Sequence, residues 1–266
     1  MKIGFIGAGN MGGAILRGYV PYAEKAGDIL SVYVPTAEKL DRICNETGAE
    51  KALNIGDLVR SNDVVIIGVK PNMFEEVLPQ IANAYEKNKV VVSMAAGVTI
   101  DFIENYLGKD AKIVRIMPNT PAQVGQAMIA VCRNGNVDDE TFGDVKVIFD
   151  SIGKAEEVDE DLIHCVIGVS GSSPAYTFMY IDALMDAAVK NGMDREKARV
   201  FAAQSVLGAA KMVLKTDIDP EQLCINVCSP GGTTIEAVES LKEDGFKESV
   251  EKAFQAAVDK SKKMSK

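Results

Sequence analysis

An apolar, β-prone run, Lys2–Ile6, passes directly into Gly7-Ala8-Gly9-Asn10-Met11-Gly12, and a helix-periodic stretch predicted over Met11–Ala26 begins there. This G-x-G-x-x-G string constrains the fold more than any other part of the chain. Between a strand and a helix it is the fingerprint of a dinucleotide-binding βαβ unit; elsewhere the same glycines are only a turn. Gly7 permits the turn, Gly9 lets a pyrophosphate approach the backbone, and Gly12 allows close helix–strand packing. Gly7, Ala8, Gly9, Asn10, Met11 and Gly12 are therefore expected to bind the cofactor.

The pattern continues. Further strands are predicted at Ile29–Val34, Val64–Val69, Val90–Met94, Lys112–Met117 and Met128–Cys132, and helices at Ala37–Thr47, Asn72–Glu86 and Thr99–Tyr106. Apolar strands separated by helices indicate a parallel sheet covered on both faces, the doubly wound α/β class. After about Glu160 the strand signals stop. Helices are predicted at Pro174–Asn191, Asp194–Leu214, Pro220–Val227, Thr233–Glu243 and Phe246–Lys262. The expected organisation is a Rossmann-type domain over 1–160 and an all-α domain over 161–266. In the helix from Pro174, the side chains of Tyr176, Phe178, Met179, Ile181, Leu184, Met185 and Ala188 spread around most of the circumference. A helix apolar nearly all round is buried, and about a hundred residues are too few to bury every such face alone. This domain is expected to pack against a second subunit.

Composition narrows the function classes. A net charge of −9 argues against nucleic acid and against an anionic membrane surface as partners. Cys44, Cys132, Cys165, Cys224 and Cys228 are odd in number and scattered, and His164 is the only histidine. A metal site and a disulfide framework are both unexpected. Met1–Gly7 lacks a signal-peptide layout, and runs such as Val64–Val69 are too short to span a bilayer, so a cytoplasmic protein is expected. The basic end, Lys260–Lys266, reads as a solvated terminus.

Cofactor choice is decided at the tip of the second strand, where NAD enzymes place an acid for the ribose 2′-hydroxyl. Here the tip is Tyr33-Val34-Pro35-Thr36, without an acid. Thr36, the following helix N-terminus and Lys39 suit a 2′-phosphate, which favours NADP(H), with NAD(H) as the alternative. The later strand ends, Val69-Lys70-Pro71, Ala95-Ala96-Gly97 and Met117-Pro118-Asn119-Thr120-Pro121, are small, Pro-rich or amide-bearing and suit close backbone contact. Near the C-terminus, Ser229-Pro230-Gly231-Gly232-Thr233-Thr234 precedes an apolar helical run. A proline in the first helical turn with a Ser or Thr cap would make this either an ordinary capped helix or an anion-binding N-terminus.

Together these residues resemble pyrroline-5-carboxylate reductases along essentially the whole chain. The likeness rests on Gly7–Gly12, Val69–Pro71, Ala95–Gly97, Met117–Pro121, Gly168–Tyr176 and above all Ser229–Thr234. It implies an oxidoreductase of proline biosynthesis that passes hydride from NADPH or NADH to the C=N carbon of 1-pyrroline-5-carboxylate, giving L-proline. It also implies a helical domain that interlocks with a dimer partner, and homodimers that assemble further into decamers. On that resemblance Ser229, Gly231, Gly232, Thr233, Thr234 and Asn119 hold the substrate. Thr234 is the proton donor or positioner at the imine nitrogen, and Asn54 contacts the adenine ribose, within a slip of one residue. Cys224-Ile225 stands where relatives often carry a basic then an acidic residue.

Two other readings share parts of the pattern. A β-hydroxyacid dehydrogenase or related imine reductase would carry a catalytic lysine on the first long helix of the second domain, but Ser170–Ala188 contains none. A non-catalytic NADP sensor would keep Gly7–Gly12 without needing Ser229–Thr234. Imine reduction asks little of a general acid, because the nitrogen is already basic, so His164 is expected to serve structure.

Overall fold

The computed structural model describes residues 1–265. Its chain order is β1 (Lys2–Ile6), α1 (Asn10–Ala26), β2 (Ile29–Tyr33), α2 (Ala37–Thr47), β3 (Glu50–Lys51), α3 (Ile55–Ser61), β4 (Val64–Ile67), α4 (Phe74–Ala82), β5 (Val90–Ser93), α5 (Ile100–Leu107), β6 (Lys112–Met117), β7 (Ala127–Arg133), α6 (Asp139–Asp150) and β8 (Gly153–Glu157). After these come α7 (Ile163–Val166), a π turn over Ile167–Gly171, α8 (Ser173–Lys190), α9 (Arg195–Lys215), α10 (Pro220–Val227), α11 (Thr233–Glu243) and α12 (Phe246–Met264).

The eight strands form one sheet in the order β3-β2-β1-β4-β5-β6-β7-β8. Every pairing is parallel except β6 with β7. The sheet is thus mostly parallel, and its one reversal has a local cause: only Pro118–Gln126 separates β6 from β7, less than a parallel crossover needs. Strand alternation sends Ile3, Phe5, Val64 and Ile66 into one core and Ile6, Val65 and Ile67 into the other. Both faces are thus apolar, and each fully buried aliphatic side chain contributes roughly 1.5–3 kcal/mol.

The chain divides into two compact units, the first spanning Met1–Gly171 together with the chain from Ala257 onward, the second Ser172–Ala256. The first unit includes the segment 161–171. Ile163 is fully buried in it, with Val166 and Ile167 packed alongside. In the basic end Lys260, Lys262 and Lys263 are exposed, as a solvated terminus requires, while Ser261, like Val258 before it, is buried in this unit, and Lys266 lies outside the described residues. His164 Nδ1 and Ser261 Oγ share a 2.8 Å hydrogen bond, a structural role for the single histidine.

The second unit has a small core, Met185 with Ala198 and Ala202, to which α8 and α9 contribute. On the same two helices Phe178 is 62% exposed, Met179 73% and Phe201 64%. Burying such side chains is worth one to several kcal/mol each, roughly 1.5–3, and within a single copy that stabilisation is not realised.

Candidate active site

Parallel strands put their carboxyl ends on one edge. The segments that follow β1, β2, β3, β4 and β5, and the one after β6, hold Gly7–Gly12, Thr36, Asn54, Val69–Pro71, Ala95–Gly97 and Asn119 respectively. The first-unit residues singled out in the sequence therefore share one rim of the sheet, where ligands of doubly wound folds bind.

At the centre of that rim the chain turns through Gly7, whose φ of +87° an L side chain rarely adopts. The Gly7 N–H donates to the Tyr33 carbonyl at 2.8 Å, tying the turn to β2. A Cβ on Gly12 would lie 2.8 Å from the Gly7 carbonyl oxygen, so α1 touches the strand backbone directly. Gly9 is the N-cap of α1, without a side-chain cap, and a Cβ built there meets nothing within 4 Å. Space beside Gly9 and uncapped N–H groups at a helix start suit an anion such as a pyrophosphate. The residues present fit a dinucleotide.

Thr36 caps α2 without a side-chain hydrogen bond, leaving its hydroxyl available. Asn54 is exposed and caps α3, its Oδ1 accepting from Asp57 N at 2.8 Å. Its Nδ2 donates to Asp57 Oδ2 at 2.7 Å and keeps a second hydrogen. Lys70 is exposed and leads into a 3-10 turn that begins at Pro71. Ala95 to Val98 form a tight turn, with Val98 N donating to Ala95 O at 3.4 Å. Asn119 is buried and clamps its loop: Oδ1 accepts from Met128 N at 2.9 Å and Nδ2 donates to Ser170 O at 3.1 Å. One Nδ2 hydrogen remains uncommitted.

The second unit carries Ser229–Thr234. Gly232 N donates to Ser229 O at 3.0 Å, closing a turn with Pro230 and Gly231 at its centre. Pro followed by a residue at φ +70° is the type II arrangement, which requires the glycine. Pro230 thus lies in the turn and not in the first turn of the helix, and Gly232, not a serine or threonine, is the N-cap of α11. Among the described residues no side chain caps α11, which leaves the N–H groups of its first turn without a side-chain partner. Ser229 and Thr233 are exposed and Thr234 is partly buried. The arrangement is an open donor cradle next to the positive end of an eleven-residue helix. Cys228 caps the end of α10 just before it, and burial pushes its thiol pKa up, which makes it a poor nucleophile.

Arg17 on α1 and Arg42 on α2 line a groove with Gly9 and Asn10, and the sequence reading omitted both. The usable signal is helical phase: Arg17 stands four residues after Gly13 and Arg42 three after Lys39, so each pair shares a helix face.

Residues 160–264 match the family model for pyrroline-5-carboxylate reductase dimerisation, and residues 2–97 that for coenzyme F420-dependent NADP oxidoreductases. A pyrroline-5-carboxylate reductase of Escherichia coli is 47% identical over 265 residues, covering 100% of this chain and 98% of that protein. A solved pyrroline-5-carboxylate reductase from Coxiella burnetii superposes with a TM-score of 0.92 at 35% identity, covering 99% of this chain and 98% of that one. The Plasmodium falciparum pyrroline carboxylate reductase, solved with NADP bound, gives a TM-score of 0.88 at 34% identity, covering 100% and 98%.

Proposed function

Because this chain belongs to the pyrroline-5-carboxylate reductase family, we propose that it reduces 1-pyrroline-5-carboxylate to L-proline with NAD(P)H, the last step of proline biosynthesis. The observation that carries the reading is the uncapped, glycine-entered N-terminus of α11, an anion cradle built without a basic side chain. NADPH, or NADH, would supply the hydride when bound.

The remaining work falls to the chain. Ser229, Gly231, Gly232, Thr233 and Thr234 hold the substrate carboxylate with backbone N–H groups and hydroxyls, and Asn119 contributes its free amide hydrogen. Such donors are fixed before substrate arrives, so no reorganisation is needed as charge shifts. Thr234 orients the imine nitrogen or supplies its proton, and a nitrogen that is already basic needs no stronger acid. Holding the ring in place converts a collision into an oriented encounter. Gly7–Gly12 bind the pyrophosphate; Thr36, Asn54, Val69–Pro71 and Ala95–Gly97 bind the rest of the cofactor.

The same reading includes a cytoplasmic homodimer that assembles further, up to a decamer. Its support is the exposed apolar surface of α8 and α9 and the match of residues 160–264 to a dimerisation model. Cys44 and Cys132 are buried thiols, and Cys165, Cys224 and Cys228 are at least partly exposed. Among the described residues no helix is long and apolar enough to cross a membrane. A direct test is thermal shift with L-proline in the presence of NADP+: a bound ligand raises the Tm by mass action. No shift with L-proline or any cyclic analogue would remove the reading.

A further inference from the structure

We propose that Arg17 and Arg42 are specificity-determining residues for the 2′-phosphate of NADP(H), with Glu46 as the residue that positions Arg17. The proposal rests on the reading of the chain as an NAD(P)H-dependent reductase. It goes beyond Thr36 and Lys39 to two side chains on the helices behind them.

Three observations place a phosphate there. The first is a groove of about 770 Å³ that runs from Gly9 and Asn10 to Arg17, Lys39 and Arg42. Its lining contains three cations and no acidic side chain, in a chain whose net charge is −9. A dinucleotide seated at Gly9 brings its ribose phosphate into a positive field set by Lys39 and Arg42, the charge of Arg17 being offset by Glu46, and each neighbouring positive charge favours the doubly charged group.

The second is the way Arg17 is held. Glu46 grips it at two points, Nε to Oε1 at 2.9 Å and Nη2 to Oε2 at 2.9 Å. Glu46 belongs to an adjoining hollow with Arg17, Arg42 and Asn45 and does not line the groove. The carboxylate therefore fixes the guanidinium from behind and takes two of its nitrogens, a fork-on-fork geometry that orders a long side chain. The third nitrogen, Nη1, turns back along α1: a Cβ on Gly13 would stand 2.8 Å from it. The free edge of Arg17 thus lies over the first turn of α1, beside the phosphate-binding loop.

The third concerns what is uncommitted. Among the described residues Lys39 and Arg42 form no ion pair within 4 Å, although the charge of Arg42 acts on Glu46 one turn along, and three-residue spacing puts Lys39 and Arg42 on one face of α2. An NAD-selective site would set an acid at the end of β2, and here Val34, Pro35 and Thr36 follow Tyr33. The acid that does stand near, Glu46, is neutralised by its grip on Arg17.

Fluorescence titration of the full chain with NADPH and with NADH at one ionic strength tests this without reference to turnover. Arg42→Gln and Arg17→Gln are each expected to weaken NADPH about tenfold, the loss of one charge-assisted contact, and to leave NADH within about twofold. Glu46→Gln removes a negative charge, so a purely electrostatic site would bind NADPH more tightly. Positioning predicts weaker NADPH instead, again with NADH unchanged. Equal weakening of both cofactors, or no change in either, would overturn the assignment. So would tighter NADPH in Glu46→Gln. An independent phosphate site would appear as inorganic phosphate binding that Arg42→Gln abolishes while the NADPH-to-NADH ratio stays fixed, and that outcome also overturns it. Native chain that binds neither cofactor would remove the reductase reading itself, whereas native chain that binds both alike removes only the role of the arginines.

Discussion

The carbonyl oxygen of Gly7 would stand 2.8 Å from a Cβ on Gly12. The same oxygen would stand 2.6 Å from a Cβ on Gly68, at the end of β4. One strand-end carbonyl is thus enclosed by backbone on two sides, and this brings the start of α1 close enough to offer its N–H groups to a phosphate.

Gly12→Ala is therefore expected to push α1 off the sheet. The strain of inserting one carbon into a closed contact costs about 1–3 kcal/mol. Because the displaced element carries the phosphate donors, NADPH affinity should fall about tenfold or more. Urea denaturation and cofactor titration measure the two effects separately. Lost stability with unchanged affinity would detach the packing from the site.

Gly231→Ala tests the cradle. At φ +70° an L side chain costs about 1–2 kcal/mol, so the turn that leads into α11 opens. The KM for 1-pyrroline-5-carboxylate should rise while the NADPH dissociation constant stays put. A rise in both would contradict the division of labour between the two units.

Thr234→Ala should lower kcat with little change in cofactor affinity, since its hydroxyl has no structural hydrogen bond among the described residues. Thr234→Ser, which keeps the hydroxyl, should recover part of the rate. Unchanged kinetics in both variants would take Thr234 out of the mechanism.

His164 gives a pH dependence with a defined sign. Burial lowers its pKa below the ordinary 6.5, and the nearby charges of Arg115 and Lys262 act the same way, against Asp161 and Glu160. The folded state therefore binds fewer protons than the unfolded chain through this window. Its contribution is fully present above about pH 6.5 and is lost as pH falls through the folded pKa. The Tm should decline in that range for the native chain and less steeply for His164→Gln. Parallel declines would mean that other groups carry the acid sensitivity.

Arg115 is 2% exposed, and among the described residues its side chain has one hydrogen-bond partner, Glu160 Oε1, at 2.6 Å from Nη1. Its buried Nε and Nη2 have no partner among the described residues. Glu160→Gln leaves an uncompensated buried charge and is expected to cost about 2–3 kcal/mol, at or below the lower end for breaking a buried pair because Glu160 is partly solvated. Arg115→Met, which removes the charge, should cost less in the same urea titration.

Much of this architecture is readable from residue order, for identifiable reasons. Strands β1, β4, β5 and β6 are buried on both faces, so they stand out as apolar runs. β3 has two residues, Glu50 and Lys51, both exposed, and offers no pattern at all. In β8, Gly153–Glu157, only Ala155 is buried, because the strand lies at the sheet edge. The seven-residue α3 is too short for periodicity, and its Asn54 cap was the one cue. α6 is different: Phe142, Val145, Ile148 and Phe149 follow helical spacing behind the Asp138 cap, so a signal exists. At the site, the glycine positions follow from backbone sterics alone. Arg17 and Arg42 do not, because their shared groove depends on how α1 and α2 lie together on the sheet. The Pro230 turn was misplaced by one element, since Pro before Gly fits a type II turn as well as a helix start.

The central claim is tested most directly by steady-state oxidation of NADPH and of NADH by the purified full-length protein with 1-pyrroline-5-carboxylate, with the product identified by mass. The account predicts substrate-dependent cofactor oxidation yielding L-proline, with NADPH the more effective donor at low concentration. A folded protein that binds NADPH and produces no proline with either cofactor would contradict it.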